Sequence, residues 1–287
     1  MDKVKNIIIP NQDKLAELKE TIAKGGVEKF YVVSDFDKTL TTASINGKRV
    51  LPLIAVLRNG NYLTADYVKK ARALFDKYYL IEIDPSFPLE EKKKVMHELR
   101  TTHFKLMIKS GLKRKDIEDV VKSGENQLRE GIPEFVSILN GDEIPLIILS
   151  ANGLGEYAIK MFLEEENALL NNVHIISNSY EWDSKGNASA VAIKEPIVHP
   201  TNKDLVAIRE LPVFEKIKNR GNVLLLGDNL SDSKVVDNIE FDNLIKIGFL
   251  NDDVNSNLEE YKKSYDIILL GDPSMDYVNQ LINGLIK

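Results

Sequence analysis

Residues 30–39 read Phe30-Tyr31-Val32-Val33-Ser34-Asp35-Phe36-Asp37-Lys38-Thr39. Four apolar residues run straight into a serine and two aspartates, the pattern of a strand buried on both faces that ends at a polar rim. Further along, short apolar runs with frequent Val and Ile recur at 145–149, 173–176, 223–226, 244–247 and 267–270. Between most of them lie stretches with helical spacing, such as 154–170 and 205–218. Strands alternating with helices predict right-handed βαβ units and an α/β fold built on a doubly wound parallel sheet.

The alternation fails between about 54 and 128, where 65–79, 89–109 and 115–130 read as amphipathic helices rich in Lys and Glu. The simplest account is a mainly helical cap over 54–128, inserted after the first strand of a core made of 1–53 and 129–287. No long Pro/Gly linker is present, so the cap is expected to pack on the core. The 287 residues, 43% hydrophobic and 29% charged, have ordinary globular composition. A net charge of -6 disfavours a binder of nucleic-acid polymers. The absence of cysteine removes thiolate metal sites, disulfides and thiol nucleophiles. No apolar run approaches a membrane span and none near Met1 suits a secretory leader, so a soluble, cytoplasmic protein is expected.

In an open α/β sheet, ligands bind outside the carboxyl ends of the strands. Three of those ends carry polar turns: Ser34-Asp35-Phe36-Asp37-Lys38-Thr39, Ser150-Ala151-Asn152-Gly153 and Gly227-Asp228-Asn229-Leu230-Ser231-Asp232. Turn chemistry alone explains any one of them; three on one rim, two rich in Asp, point to a site. Like charges about 4 Å apart repel by roughly 4 kcal/mol at an effective dielectric near 20. Asp35, Asp37, Asp228 and Asp232 together therefore call for a counter-charge. An all-oxygen set suits Mg2+, which leaves positions open for phosphoryl oxygens and so suggests phosphate chemistry. No P-loop or G-x-G-x-x-G follows a strand. His97 and His103, six apart, lie roughly 120° around a helix and do not make a zinc-binding H-E-x-x-H.

These segments resemble the haloacid dehalogenase-like (HAD) phosphohydrolases, with their Rossmann-like core. From about Leu15 to the C-terminus the chain resembles, more narrowly, the cytosolic pyrimidine 5′-nucleotidase (type III) family. The narrower likeness rests on Lys77-Tyr78-Tyr79-Leu80-Ile81-Glu82-Ile83-Asp84-Pro85, on His199-Pro200-Thr201-Asn202-Lys203 and on Lys246-Ile247-Gly248-Phe249-Leu250-Asn251-Asp252.

The resemblance implies a phosphomonoester hydrolase with Asp35 as nucleophile and Asp37 as general acid and base. It implies Mg2+ held by Asp35, the Asp37 carbonyl and Asp228, with Asp232 near the metal's waters. Ser150 and the Ala151 amide would hold phosphate oxygens, Lys203 would offset charge, and Glu82 in the cap would read the base. The expected substrate is a pyrimidine nucleoside monophosphate, CMP or UMP. Departures from the family pattern at Leu99 and His103 leave the base open, so a modified purine nucleotide or sugar phosphate stands as the alternative. A phospho-aspartate signalling or binding protein is the rival of another class.

Overall fold

The computed structural model describes residues 6–84, 86–192, 197–203, 208 and 211–287, with the side chains at 82, 83 and 189–192 outside that description. The chain begins with β1 (Ile7–Ile8) and α1 (Gln12–Gly25), whose first turn is capped by the Asn11 side chain accepting from the Lys14 amide. Next come β2 (Phe30–Ser34), a small hairpin of β3 (Ser44–Ile45) and β4 (Lys48–Arg49), and four helices. These are α2 (Leu53–Asn59), α3 (Tyr67–Ile83), α4 (Leu89–Lys109) and α5 (Arg114–Val121). Then follow α6 (Ile132–Gly141), β5 (Leu146–Ser150), α7 (Gly155–Glu165), β6 (Val173–Ser177) and a hairpin of β7 (Ser179–Trp182) and β8 (Ala188–Ala192). The chain closes with α8 (Phe214–Ile217), β9 (Asn222–Gly227), β10 (Asn243–Leu250), α9 (Val254–Ser264), β11 (Ile267–Leu270) and α10 (Asp276–Leu285).

Seven strands form one sheet in the order β1-β11-β10-β9-β2-β5-β6. All its pairings are parallel except that of β1, which joins β11 antiparallel at the edge. Alternate residues of the central strands feed two apolar layers, as period-two geometry requires. Phe30, Val32, Leu146, Ile148, Leu224 and Leu226 enter one cluster, while Tyr31, Val33, Ile147, Leu149, Val223 and Leu225 enter the other. This is the doubly wound architecture expected from the alternation of strands and helices.

Helices α2 to α5 follow one another between β2 and β5 in the chain, and α4 keeps the expected bounds. Leu53, Leu57, Tyr67, Phe104, Met107 and Ile117 from these helices share the larger cluster with Phe36 and Leu40 of the core. A smaller cluster of Tyr78, Met96 and Leu99 holds α3 on α4. The helix expected at 115–130 stops at Val121, before Gly124 takes a left-handed φ of 74°. Helix α7 likewise ends before Asn167, at φ 53°. Within 205–218 only α8 is described as α-helix; Pro212 disfavours the helical conformation for the residue before it, and 204–207 with 209–210 lie outside the described residues.

The hairpin β7–β8 was not foreseen as strands. It packs against α4, with the Ala188 amide donating to the Leu112 carbonyl and the Tyr180 ring edge-on to Phe104. Phe104 is thereby a core ring, 1% exposed, rather than a ring free to stack on a ligand. No helix among the described residues is long and apolar enough to cross a membrane.

Candidate active site

Parallel register brings the three polar turns to one rim: Ser34 pairs with Ile148 of β5 and Leu226 of β9. Asp35 continues the ladder by donating its amide to the Leu226 carbonyl. Its carboxylate, 8% exposed, accepts a 2.5 Å hydrogen bond from Lys203 Nζ, which also donates to Asp232 Oδ1 at 2.8 Å. Asp35, Asp228 and Asp232 each offer a carboxylate oxygen within 4.8 Å of the others.

Burial drives the electrostatics of this cluster. It pushes Asp35 up to about 7, opposed by Lys203 and reinforced by Asp232 and Asp37. Asp228 rises well above the usual carboxylate range through burial and through Asp35 and Asp232. Burial alone would lower Lys203, but Asp232 and Asp35 outweigh it and keep the ammonium charged. One lysine thus faces three mutually repelling carboxylates, and a bound cation would relieve the remainder. With oxygen donors alone, the cluster fits Mg2+.

The loop carrying Asp228 and Asp232 is braced from behind. Tyr261 and Tyr265 donate their hydroxyls to the carbonyls of Asp228 and Asn229. Asp232 Oδ2 accepts the Asn229 amide at 3.1 Å. Gly227 is required by the close approach of this loop, since a Cβ there would lie 2.4 Å from Asp232 Cβ.

Asp37 is held by Asn152, whose Nδ2 donates to both carboxylate oxygens at 3.0 and 3.1 Å. Burial raises Asp37, and the Asn152 hydrogen bond partly counters it. Asn152 is fixed in turn by its amide on Ser150 Oγ and by its Oδ1 accepting the Leu154 amide. Ala151 lines the cavity beside Asp35, whereas Ser150 is fully buried with its Oγ engaged by Asn152. Lys203 ends the 199–203 turn, in which the Asn202 side chain accepts the His199 amide and donates to the Ile197 carbonyl.

The site opens into a cavity of about 510 Å3 between the rim and helices α2, α3 and α4. Its helical wall carries Ile54, Arg58, Leu74, Phe75, Leu99, Arg100 and His103. His103 Nε2 lies 3.0 Å from the Tyr67 hydroxyl, and burial, with Arg100 and Arg58, lowers it to about 4. Glu82 belongs to α3, but its side chain lies outside those described. Asn152, Arg58, Arg100, Tyr261 and Tyr265 were not assigned from the sequence. Only Asn152 had a local signal, its place in the turn after β5.

Residues 38–286 match the family model described as pyrimidine 5′-nucleotidase (UMPH-1). A 7-methylguanosine phosphate-specific 5′-nucleotidase A of Xenopus laevis is 35% identical over 272 residues, covering 94% of this chain and 91% of that protein. The solved structure of cytosolic 5′-nucleotidase IIIB bound to cytidine superposes with a TM-score of 0.87 at 25% identity, covering 99% and 94% of the two chains. A phosphoserine phosphohydrolase-like protein of Francisella tularensis shares the fold, with a TM-score of 0.50 at 17% identity over 88% and 99%.

Proposed function

The chain belongs to the pyrimidine 5′-nucleotidase (UMPH-1) family of HAD-type phosphomonoester hydrolases, and from that premise we propose that it hydrolyses pyrimidine nucleoside 5′-monophosphates with Mg2+ as cofactor. The observation that carries the mechanism is the buried bridge from Lys203 to Asp35 and Asp232 in the lining of the cavity. Asp35, Asp228 and the Asp37 carbonyl would hold the ion, with Asp232 beside them. When bound, Mg2+ supplies positive charge that keeps these carboxylates ionised and offsets charge on the phosphoryl oxygens.

In the first step an Asp35 oxygen forms a bond to phosphorus while the bond from phosphorus to the nucleoside 5′-oxygen breaks. Asp37, whose carboxyl burial pushes upward, gives its proton to that oxygen. In the second step Asp37 takes a proton from water, the water oxygen bonds to phosphorus, and the bond to Asp35 breaks. Lys203 offsets charge at the nucleophile throughout. Ala151, on the cavity wall, would offer its amide to a phosphate oxygen, while Ser150 would act through the Asn152 turn.

The division of labour between a core over 1–53 and 129–287 and a specificity cap over 54–128 is part of this proposal, as is base reading by Glu82. Support for a pyrimidine comes from the family model and from the cytidine in the structural relative. The curated relative from Xenopus is instead named for 7-methylguanosine phosphate, so a modified purine nucleotide is the second reading.

The test is phosphate release from a panel of nucleoside monophosphates and simple phosphate esters, with Mg2+ and with chelator, beside Asp35→Asn. Mg2+-dependent release from UMP or CMP, lost by more than about 10^4-fold in the variant, is the expected result. Undiminished turnover by Asp35→Asn would sink the assignment of the nucleophile.

A further inference from the structure

Tyr261 and Tyr265 stand four residues apart at the end of α9, so their rings share one face of the helix. Both are buried, with ring centroids 5.3 Å apart. A buried phenol needs an acceptor for its hydroxyl. The two hydroxyls find theirs side by side, on the consecutive carbonyls of Asp228 and Asn229.

The sheet is shaped to admit them. Gly227 of β9 and Gly248 of β10 are register partners, and together they leave a strip of bare backbone. A Cβ at Gly248 would lie 2.6 Å from the Tyr265 ring, and one at Gly227 would lie 3.1 Å from its hydroxyl. Tyr265 therefore rests on the strand backbone and delivers its hydroxyl to the loop that follows β9.

The three carboxylates of the rim differ in what orients them. Lys203 grips Asp35 and Asp232, and Asp232 also accepts the Asn229 amide. No hydrogen bond among the described residues reaches the Asp228 carboxylate. Its direction is set through its backbone, and the two tyrosine hydroxyls fix the peptide units on either side of Asn229.

We propose that Tyr261 and Tyr265 are positioning residues for the cation site, holding the Asp228 carboxylate in place through its backbone and so setting both the affinity for Mg2+ and its standing against Ca2+. Mg2+ demands near-ideal octahedral geometry with short bonds, whereas Ca2+ accepts longer and more variable ones. Loosening one ligand thus costs Mg2+ more than Ca2+. The inference rests on the reading of the acidic cluster as a Mg2+ site and identifies what holds that site in shape.

The experiment titrates Mg2+ and, separately, Ca2+ into the substrate-free protein by calorimetry, with the rise in Tm as a second readout. The proteins are the native chain, Tyr261→Phe, Tyr265→Phe, Asp228→Asn and Tyr180→Phe. Phe keeps each ring and removes only the donor. Tyr180 is the control, a buried tyrosine whose hydroxyl donates at 2.9 Å to the Gly153 carbonyl, in the turn after β5 rather than the loop after β9. Tyr261→Phe is expected to weaken Mg2+ binding by about tenfold or more, the usual cost of losing a group that orients a ligand. Tyr265→Phe should weaken it by about threefold or more, since the carbonyl it holds lies one residue further from the ligand. In both, Ca2+ should weaken less, so that the ratio of the Ca2+ Kd to the Mg2+ Kd falls by about twofold or more. Tyr180→Phe should bind both ions as the native chain does.

Mg2+ affinity within about twofold of native in both α9 variants, or an equal loss for the two ions, overturns the proposal. So does an equal loss in Tyr180→Phe, because the effect would then belong to any buried phenol. If the native chain binds Mg2+ no better than Asp228→Asn, the Mg2+ reading of the cluster itself fails, and the inference fails with it.

Discussion

Asn152 donates both of its short contacts to one carboxylate, and those contacts set how readily Asp37 keeps its proton. Burial raises Asp37; the Asn152 amide, by stabilising the ionised form, pulls it back. Asn152→Ala removes the restraint, so Asp37 rises further and remains protonated to higher pH. The alkaline limb of the kcat/KM profile should then move upward in pH. The base-dependent second step should slow, giving a kcat loss of about tenfold or more. A pH–rate profile of the variant on UMP checks this; a limb that stays put or moves to lower pH would separate Asp37 from the titration. At this scale the sequence showed which residues stand at the strand ends, because turns announce themselves locally. It did not show which turn residue points at which carboxylate. The Asn152–Asp37 contact depends on the register between β2 and β5, which no local pattern encodes.

The loop after β2 is gathered by a buried side chain from the segment before α6, with Asn251 and Asp272 beside it. Arg129, 1% exposed, donates to the carbonyls of Lys38, Thr39, Thr41 and Pro273 and forms a 2.8 Å ion pair with Asp272. Lys38 sits at φ 59°, a conformation uncommon for a residue with a side chain, and its carbonyl is fixed by Arg129 and Asn251. Asp272 in turn accepts the amides of Ala43 and Ser44. Arg129→Ala takes the cation from a half-buried carboxylate and the donor from several carbonyls, and should cost about 3–5 kcal/mol in chemical denaturation. A cost below about 1 kcal/mol would show that water replaces the guanidinium. Elements of this kind escape sequence reading because Arg129 looks like any of the 38 basic residues. The strands buried on both faces were legible, since β2 and β11 stand at their predicted bounds. By contrast β7 and β8 were not, because their strand pairing is with each other and not with the main sheet, and Tyr180 and Trp182 find their neighbours only in the fold, Phe104 of α4 and Tyr157 of α7.

At the scale of the whole molecule, two helical layers, a sheet and an inserted set of helices converge on one rim where three carboxylates face a single lysine. The apolar cluster running from α2 through Phe36 to β5 keeps water from the rim, so the carboxylates there repel through a poor dielectric. Folding without a cation thus takes up protons. Asp35, raised from 3.8 to about 7, and Asp228, raised well above 3.8, are more protonated folded than unfolded across that interval. Their contribution to metal-free stability is therefore present at low pH and is lost as pH rises through about 4 to 7. Mg2+ works in the opposite sense, because it binds the ionised carboxylates and displaces those protons. At a hundredfold excess over its Kd the ion should add about 2.7 kcal/mol. At about 2–4 °C per kcal/mol, that is a rise in Tm of roughly 5–10 °C at pH 8. The rise should shrink toward zero by pH 5.5, where protons compete for Asp35. Asp228→Asn removes a ligand and a buried charge together, so it should stand at least as high in Tm as the metal-free native protein at pH 8 while losing the Mg2+ increment. Thermal scans of both proteins across pH, with Mg2+ and with chelator, measure all four quantities. An increment that grows on acidification, or that survives in Asp228→Asn, would move the metal away from this cluster.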